Sequence, residues 1–129
     1  MTVERHGSGV EYESIVGYSR VVRAGSHIWV AGCTATTADG AIAGPGDVYV
    51  QAQQTLTNLE AALAQVGARL EDVVRTRMYV TDISQWEAVA RAHGEVFGDI
   101  RPVTAMLEVS ALLDPRMMVE IEADAFLGG

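Results

Sequence analysis

Acidic side chains recur at every second position of the last apolar segment of the chain. Glu120, Glu122 and Asp124 alternate there with Val119, Ile121 and Ala123. Because successive side chains of a strand point to opposite faces, the pattern predicts a strand with one acidic and one aliphatic face. A carboxyl group partly withdrawn from water acquires a raised pKa and can carry a proton to or from a water molecule. Glu120 is therefore the first candidate for acid–base chemistry, and pairing with an arginine is the alternative.

Two further carboxylates share the parity of Glu120. Glu108 and Glu122 could form an acid–base pair with it, as in enzymes that cleave sugars, but such pairs require a sugar-sized cleft between them. Nothing in the sequence indicates that cleft, so salt bridges are the favoured interpretation of both residues.

Other reactive side chains have plainer explanations beside the functional ones. Tyr18 could donate its hydroxyl to a ligand or pack at the start of a strand. Cys33 is the single cysteine and is typical of a small buried side chain without a stabilised thiolate. Thr104 has no histidine or lysine predicted beside it, so it is expected to line a pocket rather than to react. His93 is expected to pack.

Composition indicates one domain over residues 1–129, with 49% hydrophobic and 20% charged residues. The net charge of −8, the absence of lysine and the scattered arginines argue against a nucleic-acid partner, because phosphate binding draws its affinity from clustered cations. No zinc-like Cys/His spacing occurs, so no metal is expected. No signal peptide or membrane span is recognisable either, and we expect a cytoplasmic protein.

The elements that must position these residues follow from hydrophobic periodicity. Strands are predicted at 18–23, 27–32, 73–81, 103–110 and 117–126, and helices at 51–67 and 84–97, in the order ββαβαββ. Asp47 and Ser84 are the predicted helix caps. Residues 1–14 and the loop 37–46 are expected to be weakly structured. The fold class is thus α/β (α+β), a mixed sheet with two helices packed on one face.

The face away from the helices is the informative one. Two aliphatic sets are predicted beneath the helices: Val119, Ile121, Ala123 and Ala125, and Val103, Ala105, Leu107 and Val109. The other face then combines Trp29, Met106 and Met118 with carboxylates and arginines. This mixture is typical of an oligomer interface, and ligand sites often lie in clefts between subunits. A homo-oligomer with such clefts is therefore predicted.

A set of short blocks, spread over residues 15–127 in a fixed order, resembles the RidA/YjgF/YER057c family, also described as endoribonuclease L-PSP. The blocks are Gly17-Tyr18-Ser19, Val30-Ala31-Gly32, the helix 51–67, Leu70-Glu71-Asp72-Val73-Val74-Arg75-Thr76, Tyr79-Val80-Thr81-Asp82, Arg101-Pro102 and Val119-Glu120-Ile121-Glu122-Ala123. The resemblance implies a chorismate-mutase-like fold and a homotrimer with a small-molecule site at each subunit interface. It also implies hydrolysis of reactive enamines and imines, such as 2-aminoacrylate, without a cofactor.

The resemblance assigns roles to individual positions and breaks at one of them. Glu120 matches the acid that positions or activates water, Tyr18 the pocket tyrosine and Gly32 a backbone position near the ligand. Thr104 stands where the family has the arginine that clamps the substrate carboxylate, while Met106 and Cys33 replace a cysteine and a glutamine. Losing a charge-assisted clamp costs on the order of 2 to 4 kcal/mol of binding.

Three functions remain open at this point. The first is a Rid-like hydrolase whose substrate differs from 2-aminoacrylate. Either Arg20 or Arg77 replaces the missing clamp, or the ligand is neutral or differently charged. The second is a non-enzymatic trimer that binds a small metabolite. The third and weakest is an endoribonuclease or translation inhibitor, because the strongly negative net charge opposes RNA binding.

Overall fold

The computed structural model describes residues 2–128 as one six-stranded sheet with the two longer helices packed on one side. The strands are β1 (Val3–His6), β2 (Val21–Ala24), β3 (His27–Cys33), β4 (Val73–Val80), β5 (Val103–Glu108) and β6 (Val119–Phe126). The helices are α1 (Glu11–Val16), α2 (Val48–Ala64) and α3 (Trp86–Phe97). Short 3₁₀ turns at Leu70–Asp72 and Ile83–Gln85 precede β4 and α3. The mixed α/β architecture is as predicted.

The strands lie in the order β1-β2-β3-β6-β4-β5. The predicted antiparallel hairpin of β2 and β3 is confirmed, with Ala24 opposite His27. β6 is inserted between β3 and β4, antiparallel to both, and β5 lies parallel to β4 at the sheet edge. The last strand of the chain therefore occupies the interior of the sheet.

The helix starts follow local capping chemistry. The Asp47 side chain accepts a hydrogen bond from the backbone N–H of Val50 at 3.1 Å, which confirms the predicted cap of α2. The prediction that Ser84 caps the second helix is wrong. Ser84 instead donates its backbone N–H to the Asp82 side chain at 3.0 Å, so the polar cap belongs to the 3₁₀ turn that leads into α3. Trp86, predicted on the apolar stripe, is instead 51% exposed at the first position of α3.

The N-terminal segment is regular, contrary to the expected weak structure over residues 1–14. β1 pairs antiparallel with β2, and α1 follows it. α1 ends at Gly17, whose φ of 86° is a left-handed conformation that suits glycine. The polar sequence has no hydrophobic periodicity from which β1 and α1 could be predicted. The segment is held by strand pairing and by the buried Glu13 carboxylate instead of by an apolar stripe.

The helix face of the sheet is defined by Val119, Ile121, Ala123 and Ala125 of β6, and it packs under α2 and α3 as predicted. The open face is the opposite side, which bears Glu120, Glu122 and Asp124. Burial of the helix face supplies the main driving force for folding, since it withdraws most of the large aliphatic side chains from water.

The predicted orientation of β5 is wrong. The parallel register places Thr104 beside Thr76 and Met106 beside Met78, and both β4 residues are buried on the helix face. Val103 and Leu107 consequently lie on the open face, 57% and 47% exposed. Alternation correctly separated the two sets of β5 residues, but the more aliphatic set does not face the helices because the open face is itself partly apolar. Met106 and Met118 pack against the main core, not on the open face as predicted.

Candidate functional site

Glu120 projects from the middle of the sheet onto the open face. Its β6 backbone lies opposite Tyr79 of β4, while β3 on its other side is irregular between Val30 and Cys33. Gly32 lies in that irregular stretch, directly against the Glu120 side chain. A Cβ atom at position 32 would be 2.6 Å from the Glu120 carboxyl carbon. Glycine is required there for space, because the carboxyl group occupies the volume of a side chain.

The environment of Glu120 favours its protonated form. Burial raises the pKa of its carboxyl group, and the negative charge of Glu122 raises it further, whereas the positive charge of Arg20 opposes both effects. No side chain within residues 2–128 forms a hydrogen bond to this carboxyl group that would stabilise its charge. Glu120 is thus a partly buried acid that is free to exchange a proton with a ligand or a water molecule.

Arg20 connects Tyr18, which precedes β2, with Gly32 and Cys33 on β3. Its Nη1 donates to the Gly32 carbonyl oxygen at 2.5 Å and lies 3.8 Å from the Cys33 sulfur. Its Nη2 donates to the Tyr18 hydroxyl oxygen at 3.1 Å. Because a guanidinium can only donate, the Tyr18 oxygen is the acceptor and its own O–H remains available to donate to a ligand. The structure therefore brings Tyr18, Gly32, Cys33 and Glu120 together around one buried arginine.

Glu13 is the partner of Arg20 and was not found from the sequence. Its Oε2 accepts from Arg20 Nε at 3.2 Å, and both side chains are about nine-tenths buried. Burial acts to raise the pKa of Glu13, but hydrogen bonds from the Ser8 side chain and backbone and from Arg20, together with the charge of Arg20, lower it overall. Glu13 is therefore ionised, and no periodicity marked it because α1 is only six residues long.

Cys33 lies in the cluster as a thiol. Burial raises its pKa, and although the nearby Arg20 opposes this shift, the carboxylates Glu120 and Glu13 add to it. The side chain is only 2% exposed and donates to the Ala31 carbonyl oxygen at 3.4 Å. A nucleophilic role for this cysteine is disfavoured, in agreement with the sequence interpretation.

Thr104 and Met106 are not part of this cluster within one chain. The hydroxyl groups of Thr104 and Thr76 lie 2.7 Å apart, and the Thr76 hydroxyl lies 2.8 Å from His93 Nε2. Burial lowers the pKa of His93, so the ring is neutral at physiological pH and packs against Phe97 as predicted. A histidine is thus linked to Thr104 through one hydroxyl group, which the sequence did not indicate. Both predicted pocket residues lie on the helix face at the sheet edge.

The remaining charges of the open face are paired with one another. Arg77 Nη1 lies 3.4 Å from Glu122 and 3.9 Å from Asp124, while Arg75 Nε lies 3.8 Å from Asp124. Glu122 also accepts a hydrogen bond from the Tyr79 hydroxyl at 2.7 Å. The favoured interpretation of Glu122 as a salt-bridged residue is confirmed. Arg77 is therefore already occupied, in contrast to its suggested role as a substitute clamp.

Glu108 lies on the other side of the sheet from Glu120. It follows Met106 in parity, and its Oε1 accepts a hydrogen bond from the backbone N–H of Ile83 at 3.0 Å. This carboxylate supports the 3₁₀ turn before α3. An acid–base pair of Glu108 with Glu120 is ruled out within one chain by this placement.

The Glu120 site lies apart from two concavities of the chain. Two concavities of about 390 and 450 Å³ lie elsewhere, one beside His93 and Phe97 and the other beside Trp29 and Phe126. Neither contains Glu120 or Tyr18. The open face also exposes Trp29 and Phe126, at 47% and 43%. Patches of this kind are typical of surfaces covered by another protein chain.

The chemistry available at this surface is proton transfer and hydrogen bonding. Within residues 2–128, no group of three or more His, Cys, Asp or Glu side chains is arranged to hold a metal ion. Nor is any described helix long and apolar enough to cross a membrane. The cluster offers one acid, one phenolic donor and one arginine whose charge is already paired.

A mixed sheet with α2 and α3 on one face and Glu120 on the other defines an α/β domain of the chorismate-mutase-like type. A family profile described as Endoribonuclease L-PSP matches residues 9–127. The chain belongs to this family, which confirms the resemblance found in the sequence.

Relatives extend over nearly the whole chain. An uncharacterized protein of Streptomyces coelicolor is 38% identical over 126 residues, 98% of this chain and 93% of the relative. A RutC family protein of Pyrococcus abyssi is 31% identical over 110 residues, 84% of this chain and 85% of the relative. The crystal structure of a YjgF/YER057c/UK114 family member from Mycobacterium tuberculosis superimposes with a TM-score of 0.90 at 50% identity, covering 98% of this chain and all of the other.

Proposed function

We propose that this protein is a Rid-type hydrolase that converts a reactive imine or enamine to the carbonyl compound and ammonia. The observation that supports this most is the Glu120 carboxyl group, which is partly buried, has a raised pKa and packs against Gly32, whose carbonyl oxygen is bound by the same Arg20 that contacts the Tyr18 hydroxyl. The family resemblance supports the same role, because Glu120 matches the acid that activates water.

The proposed reaction needs only proton transfers. The Glu120 carboxylate accepts a proton from water as the water oxygen bonds to the carbon of the C=N group. Glu120 then gives this proton to the nitrogen, which forms the neutral carbinolamine, and the Tyr18 hydroxyl donates a hydrogen bond to that nitrogen. The Glu120 carboxylate next takes the proton of the carbinolamine hydroxyl and passes it to the nitrogen as the C–N bond breaks, so that ammonia leaves and the carbonyl compound remains. A carboxyl group whose pKa is raised above its ordinary value suits both directions of transfer better than a fully solvated one. No cofactor is required.

The second wall of the site is proposed to come from another copy of the chain, in a homotrimer. Exposed Trp29, Val103, Leu107 and Phe126 supply apolar surface for such an interface. Because neither of the two concavities described above contains Glu120, a ligand cleft around this residue is proposed to form against a partner subunit. In the trimer, Thr104 and Met106 at the β5 edge are proposed to reach the neighbour's Glu120 site, since they cannot reach that of their own chain. A cytoplasmic location fits this metabolic role.

The principal alternative is a trimer that binds a metabolite without turning it over. The absence of an arginine at position 104 favours this candidate, because a site that has lost its clamp can keep its shape and change its ligand. Binding alone would raise the melting temperature by mass action, with no ammonia formed. The ribonuclease alternative is opposed by the net charge of −8, which repels RNA.

The decisive experiment measures ammonia release from imines generated in situ, for the wild type and Glu120→Gln. The hydrolase proposal requires acceleration by the wild type and a loss of roughly 100-fold or more in the variant, the usual scale for a general acid–base group. Equal rates in the two proteins would remove Glu120 from the mechanism. A thermal shift with a carbonyl product but no turnover by the wild type would favour the binding alternative.

A further inference from the structure

Glu13 forms an ion pair with Arg20, the arginine that would otherwise be available to bind an anionic substrate. Arg20 is in direct contact with both Tyr18 and Gly32, and it is only 8% exposed. Three of its five N–H groups donate to oxygen atoms of Glu13, Gly32 and Tyr18, and a fourth points toward the Cys33 sulfur. A bidentate grip on a carboxylate requires two free N–H groups along one edge of the guanidinium. Arg20 has no such free edge.

The positive charge of Arg20 is neutralised by Glu13, in addition to the occupation of its N–H groups. The Glu13 carboxylate is held by the Ser8 hydroxyl at 2.5 Å and by backbone N–H groups of Ser8 and Gly9 at 2.9 and 3.3 Å. These bonds hold its charge in place against Arg20. A mobile surface carboxylate would move aside for a ligand, whereas this one is fixed by the turn before α1. The N-terminal segment is therefore a built component of the site.

Among residues 2–128, the two other arginines of the open face are paired with carboxylates. Arg77 and Arg75 lie against Glu122 and Asp124. What remains for a ligand is the Tyr18 hydroxyl, which donates, and the Glu120 carboxyl, which repels an anion when ionised. A substrate with an α-carboxylate would lose its hydration at this surface without gaining a charged partner.

We infer that Glu13, by pairing with Arg20, sets the specificity of the site for imines that lack a carboxylate. This inference rests on the proposed hydrolase function and narrows its substrate class to neutral or protonated imines. Glu13 acts through Arg20 and is a specificity-determining residue rather than a catalytic one.

Matched substrates test the inference. Flavin-dependent oxidases convert alanine to 2-iminopropionate and ethylamine to ethanimine, so the two imines differ mainly in the carboxylate. The wild type should show a kcat/KM for ethanimine at least about tenfold above that for 2-iminopropionate, the lower scale of one charge-assisted contact. A preference for 2-iminopropionate would overturn the inference, and this measurement needs no substitution.

The variant Glu13→Gln should release the charge of Arg20 while keeping the shape of the side chain. The ratio of its kcat/KM for 2-iminopropionate to its kcat/KM for ethanimine should be at least about tenfold higher than the same ratio for the wild type. The double variant Glu13→Gln/Arg20→Gln is the matched control, since it has the same amide at position 13 and no cation to unmask. Its ratio should stay near that of the wild type. An unchanged ratio in Glu13→Gln, or the same change in both variants, would overturn the inference.

Calorimetric titration with pyruvate separates failure of the inference from failure of the proposed function. If the wild type hydrolyses neither imine, the hydrolase proposal fails. The affinities of the three proteins for pyruvate then test whether Glu13 masks Arg20. Binding that is at least about tenfold tighter in Glu13→Gln than in the wild type and the double variant supports masking of Arg20. Tight binding by the wild type, or binding by none of the three proteins, overturns it.

Discussion

The Glu120 carboxyl group fills the space that a side chain at Gly32 would need, with its carboxyl carbon 2.6 Å from an ideal Cβ position on the neighbouring strand. The acid on β6 and the glycine on β3 therefore form one unit. Because the two residues are in contact, even an alanine at position 32 should displace the Glu120 carboxyl group.

Gly32→Ala should displace the Glu120 side chain and abolish most of the hydrolase activity. We expect a loss of about 1 to 3 kcal/mol in the free energy of unfolding, the usual cost of an extra methyl group in a packed site. Denaturant unfolding and ammonia release measure the two effects. In Gly32→Ala/Glu120→Ala the stability cost of the alanine should largely disappear, since the clashing atoms are gone. Purely additive costs would contradict this account.

Gly94→Ala is the matched control for that experiment. Gly94 lies on α3, and a Cβ there would meet no atom within 4 Å. Alanine favours the helix over glycine by about 0.5 to 1 kcal/mol, so this variant should gain stability and keep its activity. A loss of stability in this control would show that the method does not isolate the clash at Gly32.

Glu120→Gln should make the folded protein slightly more stable at neutral pH. The raised pKa means that the folded state binds the proton of Glu120 more tightly than the unfolded state, so the wild type gains stability from this group as pH falls through the raised pKa toward 4.5. Above that window the ionised, desolvated carboxylate destabilises the fold. We expect an advantage of up to about 1 kcal/mol for the variant, or roughly 3 °C in Tm, that shrinks on acidification. An advantage independent of pH would contradict the raised pKa.

Glu122→Gln should shift the acidic limb of the kcat/KM profile to lower pH. The charge of Glu122 is one of the two effects that raise the pKa of Glu120, so its removal lowers that pKa. Measurement of kcat/KM at a series of pH values that spans the acidic limb determines the shift. Asp114→Asn, whose carboxylate is paired with Arg116 in an exposed turn, serves as the control that should leave the limb unmoved.

Stability in acid should depend on Glu13. Its lowered pKa means that the Glu13 carboxylate stabilises the fold above pH 4.5 and that this contribution is lost as pH falls through the lowered, folded-state pKa. Glu13→Gln should cost about 1 to 3 kcal/mol at neutral pH, the scale of hydrogen bonds to a buried charge. The difference between wild type and variant should narrow in acid. A constant difference from neutral to acidic pH would show that the ion pair with Arg20 contributes nothing.

Leu107→Asp should dissociate the proposed homotrimer and lower activity. Leu107 is 47% exposed on the open face, where a buried aspartate would lose its hydration in the interface. Light scattering coupled to size exclusion measures the assembly. Leu113→Asp is the control, because Leu113 is 66% exposed in the loop before β6 and lies outside the sheet. A monomeric wild type, or equal behaviour of both variants, would contradict the proposed assembly.

Local rules were sufficient for most elements of the fold. Periodicity and capping residues located α2 and the hairpin of β2 and β3, because these features depend on neighbours in the chain. The order within residues 1–14 was missed, since β1 is stabilised by pairing with β2 and Glu13 by a contact with Arg20. Contacts between separated segments leave no periodic signal.

What the sequence by itself determined is the alternation that separates Glu120 from the buried aliphatic residues of β6, together with the glycine and tyrosine that the family resemblance assigned to the same site. Only the tertiary structure decided which face of β5 meets the helices, because parity divides a strand into two sets without saying which set is inside. Only the tertiary structure, likewise, paired Arg20 with Glu13. A charge is recognisable in a sequence, but whether it is free to bind a ligand depends on the groups that folding brings against it.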